Sequence, residues 1–278
     1  MFKYCYNNNG LRNMSLEDSL KNTKEIGYDA IEISFHQNHI HPLSVTNEEI
    51  YKVRSFCEKE GLKIAAIAAG ADNLLSEVAF EPSLINPIAS EREKRMDLMK
   101  KSMDIAQKMG VQYLIFASGK CHKEISQDDA MKLLIDEIKE LLNYNKEVSL
   151  LIEPEPDFFI GTSEAALKLI EKVDDDRFKM NLDIGHVYCC EDNYLEAIEK
   201  SLPYARHIHI EDIKNHIHFH EIPGEGDIDF KEVFRLLKMY RYEYYISVEL
   251  YNHTENWERA MVESLAYLKS IDTVTLNV

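Results

Sequence analysis

The chain predicts an α/β fold, a single (β/α)8 barrel over residues 1–278, and two observations carry that reading. Short β-rich runs alternate with amphipathic segments through eight rounds, and no linker rich in Gly, Pro or Ser interrupts them. At 278 residues the chain is long for an ordinary domain and usual for a barrel of this kind. A doubly wound sheet would need a glycine-rich turn after its first strand, and Asn7-Asn8-Asn9-Gly10 is a poor version of one.

The first strand is Phe2–Tyr6, and its helix starts at Ser15, whose hydroxyl caps it with Asp18 three residues on, and ends at Gly27. Ala30–Ser34 alternates as strand two, followed by a helix over Asn47–Lys59 closed by Gly61. Strand three, Lys63–Ala68, leads into a long connection from Gly70 to Ala89 with two prolines, Pro82 and Pro87, a length that marks a lid over a site, and then a helix over Ser90–Met109. Gln112–Ala117 is strand four with a helix at Gln127–Tyr144. Val148–Glu153 is strand five, stopped by Pro154 and Pro156, with a helix at Ser163–Val173. Lys179–Asp183 and a helix at Asn193–Ser201 form round six. His207–Ile210, a long histidine-rich loop and a helix at Asp229–Tyr240 form round seven, and Tyr244–Leu250 with Glu255–Ser270 closes the barrel.

Hydrophobic residues at 45% and charged residues at 29%, with 10 Gly and 7 Pro, are an ordinary soluble composition. The 49 acids outnumber the 32 bases, and a formal charge of −17 repels a phosphate backbone, so no nucleic-acid partner is expected. Five cysteines, odd in number and without CxxC spacing, argue against a disulfide framework and a zinc knuckle, and a cytoplasmic location fits them. The start MFKYCYNNNG lacks the apolar run of a signal peptide, and Ile64–Ala69 is too short to span a bilayer, so no membrane association is expected.

In such a barrel the chemistry sits where the strands end. Here they end in Glu32, Glu153, Asp183, His209 and Glu249, four of them from strands five to eight. Inward positions of a barrel are normally apolar, and carboxylates converging there repel one another unless a divalent cation holds them. Glu155 competes with Glu153 for that role, and His207, one strand period from His209, competes with His209. His186 follows Asp183 by three residues, with Gly185 permitting a tight turn that brings both to one site. The stretch Arg206–Phe230 holds five of the eleven histidines; on extended backbone His216, His218 and His220 share a face, an arrangement that suits a borderline metal.

These residues lie in LLIEPEP (Glu153), NLDIGH (Asp183, His186), HIHIEDIK (His209, Asp212), HEIPGEGDIDF (His220, Gly224, Gly226) and ISVELY (Glu249). Together they resemble the xylose isomerase-like TIM-barrel superfamily, of the sugar phosphate isomerase/epimerase and AP endonuclease family 2 type, over essentially the whole chain. The resemblance implies one divalent ion, Mn²⁺ first and Co²⁺, Mg²⁺ or Zn²⁺ as alternatives, held by Glu153, Asp183, His209 and Glu249. His186 would sit beside it and contact substrate, while His218, His220, Glu155, Asp212 and Lys214 are candidates for substrate binding or a second metal. It implies an isomerase or epimerase of a sugar, keto-sugar or cyclitol that removes a proton next to a carbonyl through a metal-stabilised enediolate, with Glu153 and Glu249 as the acid/base pair.

The same apparatus would serve a dehydratase of a keto-polyol of the inosose or 3-dehydroshikimate type. A barrel that binds a polyol or metal without catalysis, or only with a partner, is the alternative of another class. Phe158-Phe159, Trp257 and the tyrosine-rich Tyr240–Tyr245 would then supply an interface, and they leave a homo-oligomer open. An endonuclease IV-like DNA repair enzyme is disfavoured by the charge and by strands three and four, which end in Ala68-Ala69-Gly70 and Ala117-Ser118-Gly119 where that branch uses histidines. No P-loop or GxGxxG is present, which favours an unphosphorylated substrate, with Lys120, Lys123 and Lys214 the available positive charges.

Overall fold

The strand runs of the sequence close on one another. A computed structural model describes residues 1–69 and 73–274. Its strands β1 (Lys3–Asn7), β2 (Ala30–Ser34), β3 (Lys63–Ala68), β4 (Tyr113–Ala117), β5 (Ser149–Glu153), β6 (Phe178–Asp183) and β7 (Ala205–Ile210) are joined by a last barrel strand, β10 (Tyr245–Val248). All pair in parallel, in the closed order β1-β10-β7-β6-β5-β4-β3-β2. Helices α1 (Leu16–Ile26), α2 (Asn47–Glu60), α3 (Ala89–Met109), α4 (Gln127–Tyr144), α5 (Ser163–Val173), α7 (Tyr194–Ser201), α8 (Phe230–Met239) and α9 (Trp257–Val274) follow their strands and cover the outside. The expected (β/α)8 barrel is therefore the fold.

Local chemistry sets these boundaries. Ser15 caps α1 by accepting the Asp18 amide, Thr46 and Glu49 form a reciprocal capping box on α2, and Gly27 at φ 100° ends α1 in the left-handed conformation that glycine tolerates best. Large apolar side chains of strands and helices form one outer core, whereas two smaller clusters hold Ala66 and Ala68 with Ile115 and Leu151, and Cys5 with Ala30 and Ala65. A polar layer lies at the mouth, where Asn7, Glu32, Asn181, Asp183, His207, His209 and Ser247 are all buried. The five thiols are unpaired. Among the described residues no helix is long and apolar enough to cross a membrane.

Three elements differ from expectation. Asp183 ends β6 and also caps a further helix, α6 (Ile184–Cys190), by accepting the His186 amide at 2.7 Å. The histidine-rich stretch is not all loop: β8 (Asp212–Lys214) and β9 (Ile217–Glu221) form an antiparallel hairpin over the mouth. Its turn places Asn215 and His216 at φ 54° and 56°, the two positive φ values a tight hairpin requires. Helix α9 starts at Trp257 rather than Glu255, after a 3-10 turn over Tyr251–Asn256. The long connection after β3 does cross the mouth, tied down where Arg95 donates to the Pro82 carbonyl and Arg92 to that of Asn86; of it, Gly70–Asp72 lie outside the described residues.

Candidate functional site

Parallel register brings four strand ends together. Glu153 is the last residue of β5, Asp183 the last of β6, His209 pairs in register with Asp183, and Glu249 follows β10 directly. His209 Nδ1 lies 2.8 Å from Glu153 Oε1, 3.4 Å from Glu249 Oε2 and 3.7 Å from Asp183 Oδ2. One donor atom from each of the four falls within 4.8 Å of all the others. His209 Nδ1 and Asp183 Oδ2 are buried and make no hydrogen bond, so the cluster holds bare donor atoms facing one point. Three acids and an imidazole nitrogen with an unshared pair are the donor set of a divalent cation, and these residues fit one.

The outer partners of His209 favour the same reading. Its Nε2–H donates to Glu32, 2.9 and 3.0 Å from the two carboxylate oxygens, which leaves Nδ1 as the free donor. Burial alone would raise the Glu32 carboxyl, but His209 and His207 override it and hold it far below the usual carboxylate range. Glu32 also accepts His207 Nε2–H at 2.8 Å, so His207, the expected rival of His209, is committed to Glu32 and makes no contribution to the four-donor cluster. Asn7 Nδ2 bridges Glu32 Oε1 at 3.0 Å and Glu249 Oε1 at 2.8 Å, and Asn9 Nδ2 donates to the same Glu249 oxygen at 2.8 Å. Asn7-Asn8-Asn9-Gly10 is thus part of the site, a role its weighing as a poor glycine-rich turn did not include. Burial and the charge of Glu249 push the Glu153 carboxyl up, whereas His209 draws that of Glu249 down against burial, so the two glutamates differ in basicity.

Beside this cluster stand His186, His218 and His220, whose facing Nε2 atoms are 3.0 and 3.1 Å apart in sequence. His186 Nδ1 donates to the Pro154 carbonyl at 3.0 Å and His220 Nδ1 to that of Glu249 at 2.9 Å, which turns both Nε2 atoms toward His218. Burial opposes charge on His186, but Asp183, Glu155 and Glu153 outweigh it and bring the imidazole up to about 9. On His220 burial outweighs the raising pull of Glu249 and Asp183 and takes the imidazole down to about 4. His216 leaves the group and stacks on Tyr188 at 4.3 Å. Glu155 lies 4.0 Å from His186 Nδ1, and burial pushes its carboxyl up to about 8.

Two expected residues are not brought to the cluster. The Asp212 carboxylate accepts from the backbone amides of Ile213, Gly224 and Ile228 and pins the turn below the hairpin. Lys214 is exposed at the hairpin end. Glu211 was not expected, yet it is fully buried, neither of its oxygens has a hydrogen-bond partner, and it stands close to His220 and Glu249. Its signal was present, because His207, His209 and Glu211 alternate on one face. Gly185 serves Glu211 rather than a tight turn: a Cβ there would run into the Glu211 carboxylate. Gly185→Ala is accordingly expected to destabilise the protein by about 1–3 kcal/mol, read from urea unfolding.

A cavity of about 340 Å³ opens above the cluster, with Glu153, Glu249 and His186 at its base and Asn9, Phe80 and Tyr251 among its walls. A closed parallel barrel with such a polar centre at the C-terminal mouth defines a TIM-barrel protein with a candidate metal centre. The chain belongs to the xylose isomerase-like TIM barrel family, whose match spans residues 20–271. Fructoselysine 3-epimerase from Escherichia coli O157:H7 is 22% identical over 246 residues, 87% of each chain. 3-Dehydro-D-guloside 4-epimerase from Escherichia coli K12 is 25% identical over 254 residues, 89% of this chain and 91% of the relative. The crystal structure of the IolI protein with a bound zinc atom superposes over all of both chains with a TM-score of 0.83 at 19% identity, a likeness of fold.

Proposed function

We propose that the protein is a divalent-metal-dependent epimerase or isomerase of a sugar, keto-sugar or cyclitol. The observation that carries the reading is the pair Glu153 and Glu249 at the base of one cavity, around a cluster whose bare donors suit an ion. Two epimerases among the relatives, matched along most of their length, support the reaction class. Glu153, Asp183, His209 and Glu249 would hold the ion, and we take Mn²⁺ first among the candidates. The ion would act as a Lewis acid, polarising the substrate carbonyl so that the neighbouring C–H becomes acidic.

The chain's own residues then move the proton. One glutamate takes the proton from carbon on its side, and the other returns one to the opposite face, inverting that carbon. Asn7 and Asn9 hold Oε1 of Glu249, which leaves Oε2 to face the cavity side of the cluster. His186, anchored through Pro154 and with its Nε2 3.0 Å from that of His218, lines the cavity where it would contact substrate. The hairpin and the connection after β3 cover the mouth and limit water.

Running candidate ketoses in D₂O with metal-loaded protein tests this. Solvent deuterium is expected next to the carbonyl in both recovered substrate and product. Net loss of water from a keto-polyol without that exchange would instead make the protein a dehydratase. Metal analysis should give one ion per chain; two, falling to one in His218→Ala, would move the three histidines from substrate to metal binding.

A further inference from the structure

The cavity over the cluster is not the larger one at the mouth. A second, of about 640 Å³, adjoins it and shares Ala79, Phe80 and Glu155 with it as lining. The first is near the lower end of the roughly 300–1,000 Å³ of small-molecule sites and takes one monosaccharide, so the second has no role in holding the reacting sugar. Its walls are built for something specific. Phe80 and Phe158 meet edge to face with centroids 4.8 Å apart, and Phe80 sits at φ 64°, a left-handed conformation that a bulky residue adopts at a cost. That conformation keeps the Phe80 ring on the boundary between the two cavities.

The charges point to the occupant. In a chain with 17 more acids than bases, Lys120 and Lys123 both line this cavity and neither joins an ion pair among the described residues. Lys120 Nζ lies 5.9 Å from the Phe158 ring centre. Of the three acids that line it, Glu81 is engaged by the Ser83 amide and His122, Glu155 faces His186 at 4.0 Å, and Glu124 is exposed beside Lys123. We propose that the substrate is a substituted sugar: beyond the reacting carbons it carries an organic chain that lies on Phe80 and Phe158 and ends in a carboxylate held by Lys120 and Lys123. This rests on the epimerase or isomerase reading above.

The test uses the metal-loaded full chain and one ketose in three forms: free, phosphorylated, and joined to a short chain ending in a carboxylate. Deuterium entry from D₂O gives kcat and KM for each. The carboxylate conjugate is expected to exceed the free ketose in kcat/KM by about tenfold or more, and K120A/K123A to raise its KM about tenfold with kcat and the free ketose unchanged. Val78→Trp, which fills the cavity from its exposed rim, should do the same. Equal or better use of the free ketose overturns the proposal, as does a lysine variant that affects both substrates alike. Preference for the phosphorylated form alone also overturns it, by showing that the lysines hold a phosphate with no chain between. Exchange in none of the three overturns the underlying function and the substituent with it, and so is distinguished from exchange without preference.

Discussion

Glu249→Gln is expected to lower kcat/KM for deuterium exchange by roughly 10²–10⁴-fold, the contribution of a positioned acid or base. The physical reason lies in its two oxygens. Oε1 accepts from Asn7 and Asn9, so a glutamine keeps its carbonyl there and turns its NH₂ toward His209 and the cluster, where a lone pair is needed. The variant therefore loses the proton acceptor and one donor to the ion together. Far-UV circular dichroism should remain that of the parent, and excess Mn²⁺ should not restore the rate. Full turnover with metal bound would remove Glu249 from the assignment.

The second large effect is expected at a residue that touches neither substrate nor ion. Glu32 accepts Nε2–H from both His207 and His209 and is tied to Asn7, so it fixes which nitrogen of His209 is free. In Glu32→Gln one carboxylate oxygen becomes an NH₂ facing imidazole N–H groups, donor against donor in a buried site. Affinity for Mn²⁺ should fall about 10–100-fold, measured by titration calorimetry. Unlike Glu249→Gln, this variant should regain its rate when Mn²⁺ is raised, because the acid/base pair is intact. Unchanged affinity would mean that His209 needs no orienting partner.

Much of this was legible in the sequence, and the gaps have physical causes. The eight rounds and the inward acids were readable because a charged residue at the end of an apolar strand breaks a rule that burial enforces. Glu32 was visible as a strand end, but its partners lie about 175 residues away in β7 and only barrel closure brings them together. Asn7 and Asn9 carry no charge and sit in a turn-like run, so nothing in composition marks them. Helix α6 is seven residues long, its cap is also the last residue of a strand, and it contains a glycine, each of which hides it. The β8–β9 hairpin turns on Asn-His rather than Asn-Gly, and its strands are only three and five residues long. The second cavity has no sequence signal, because its lysines and phenylalanines come from three separate segments.

The central claim is that Glu153, Asp183, His209 and Glu249 hold one divalent ion needed for proton exchange at the carbon beside a carbonyl. Metal-stripped protein titrated with Mn²⁺, while deuterium entry into a ketose is followed, tests it most directly. Exchange should rise in proportion to bound ion and level off at one ion per chain, with Asp183→Asn binding and exchanging far less. Exchange at an undiminished rate in the stripped protein would contradict the account.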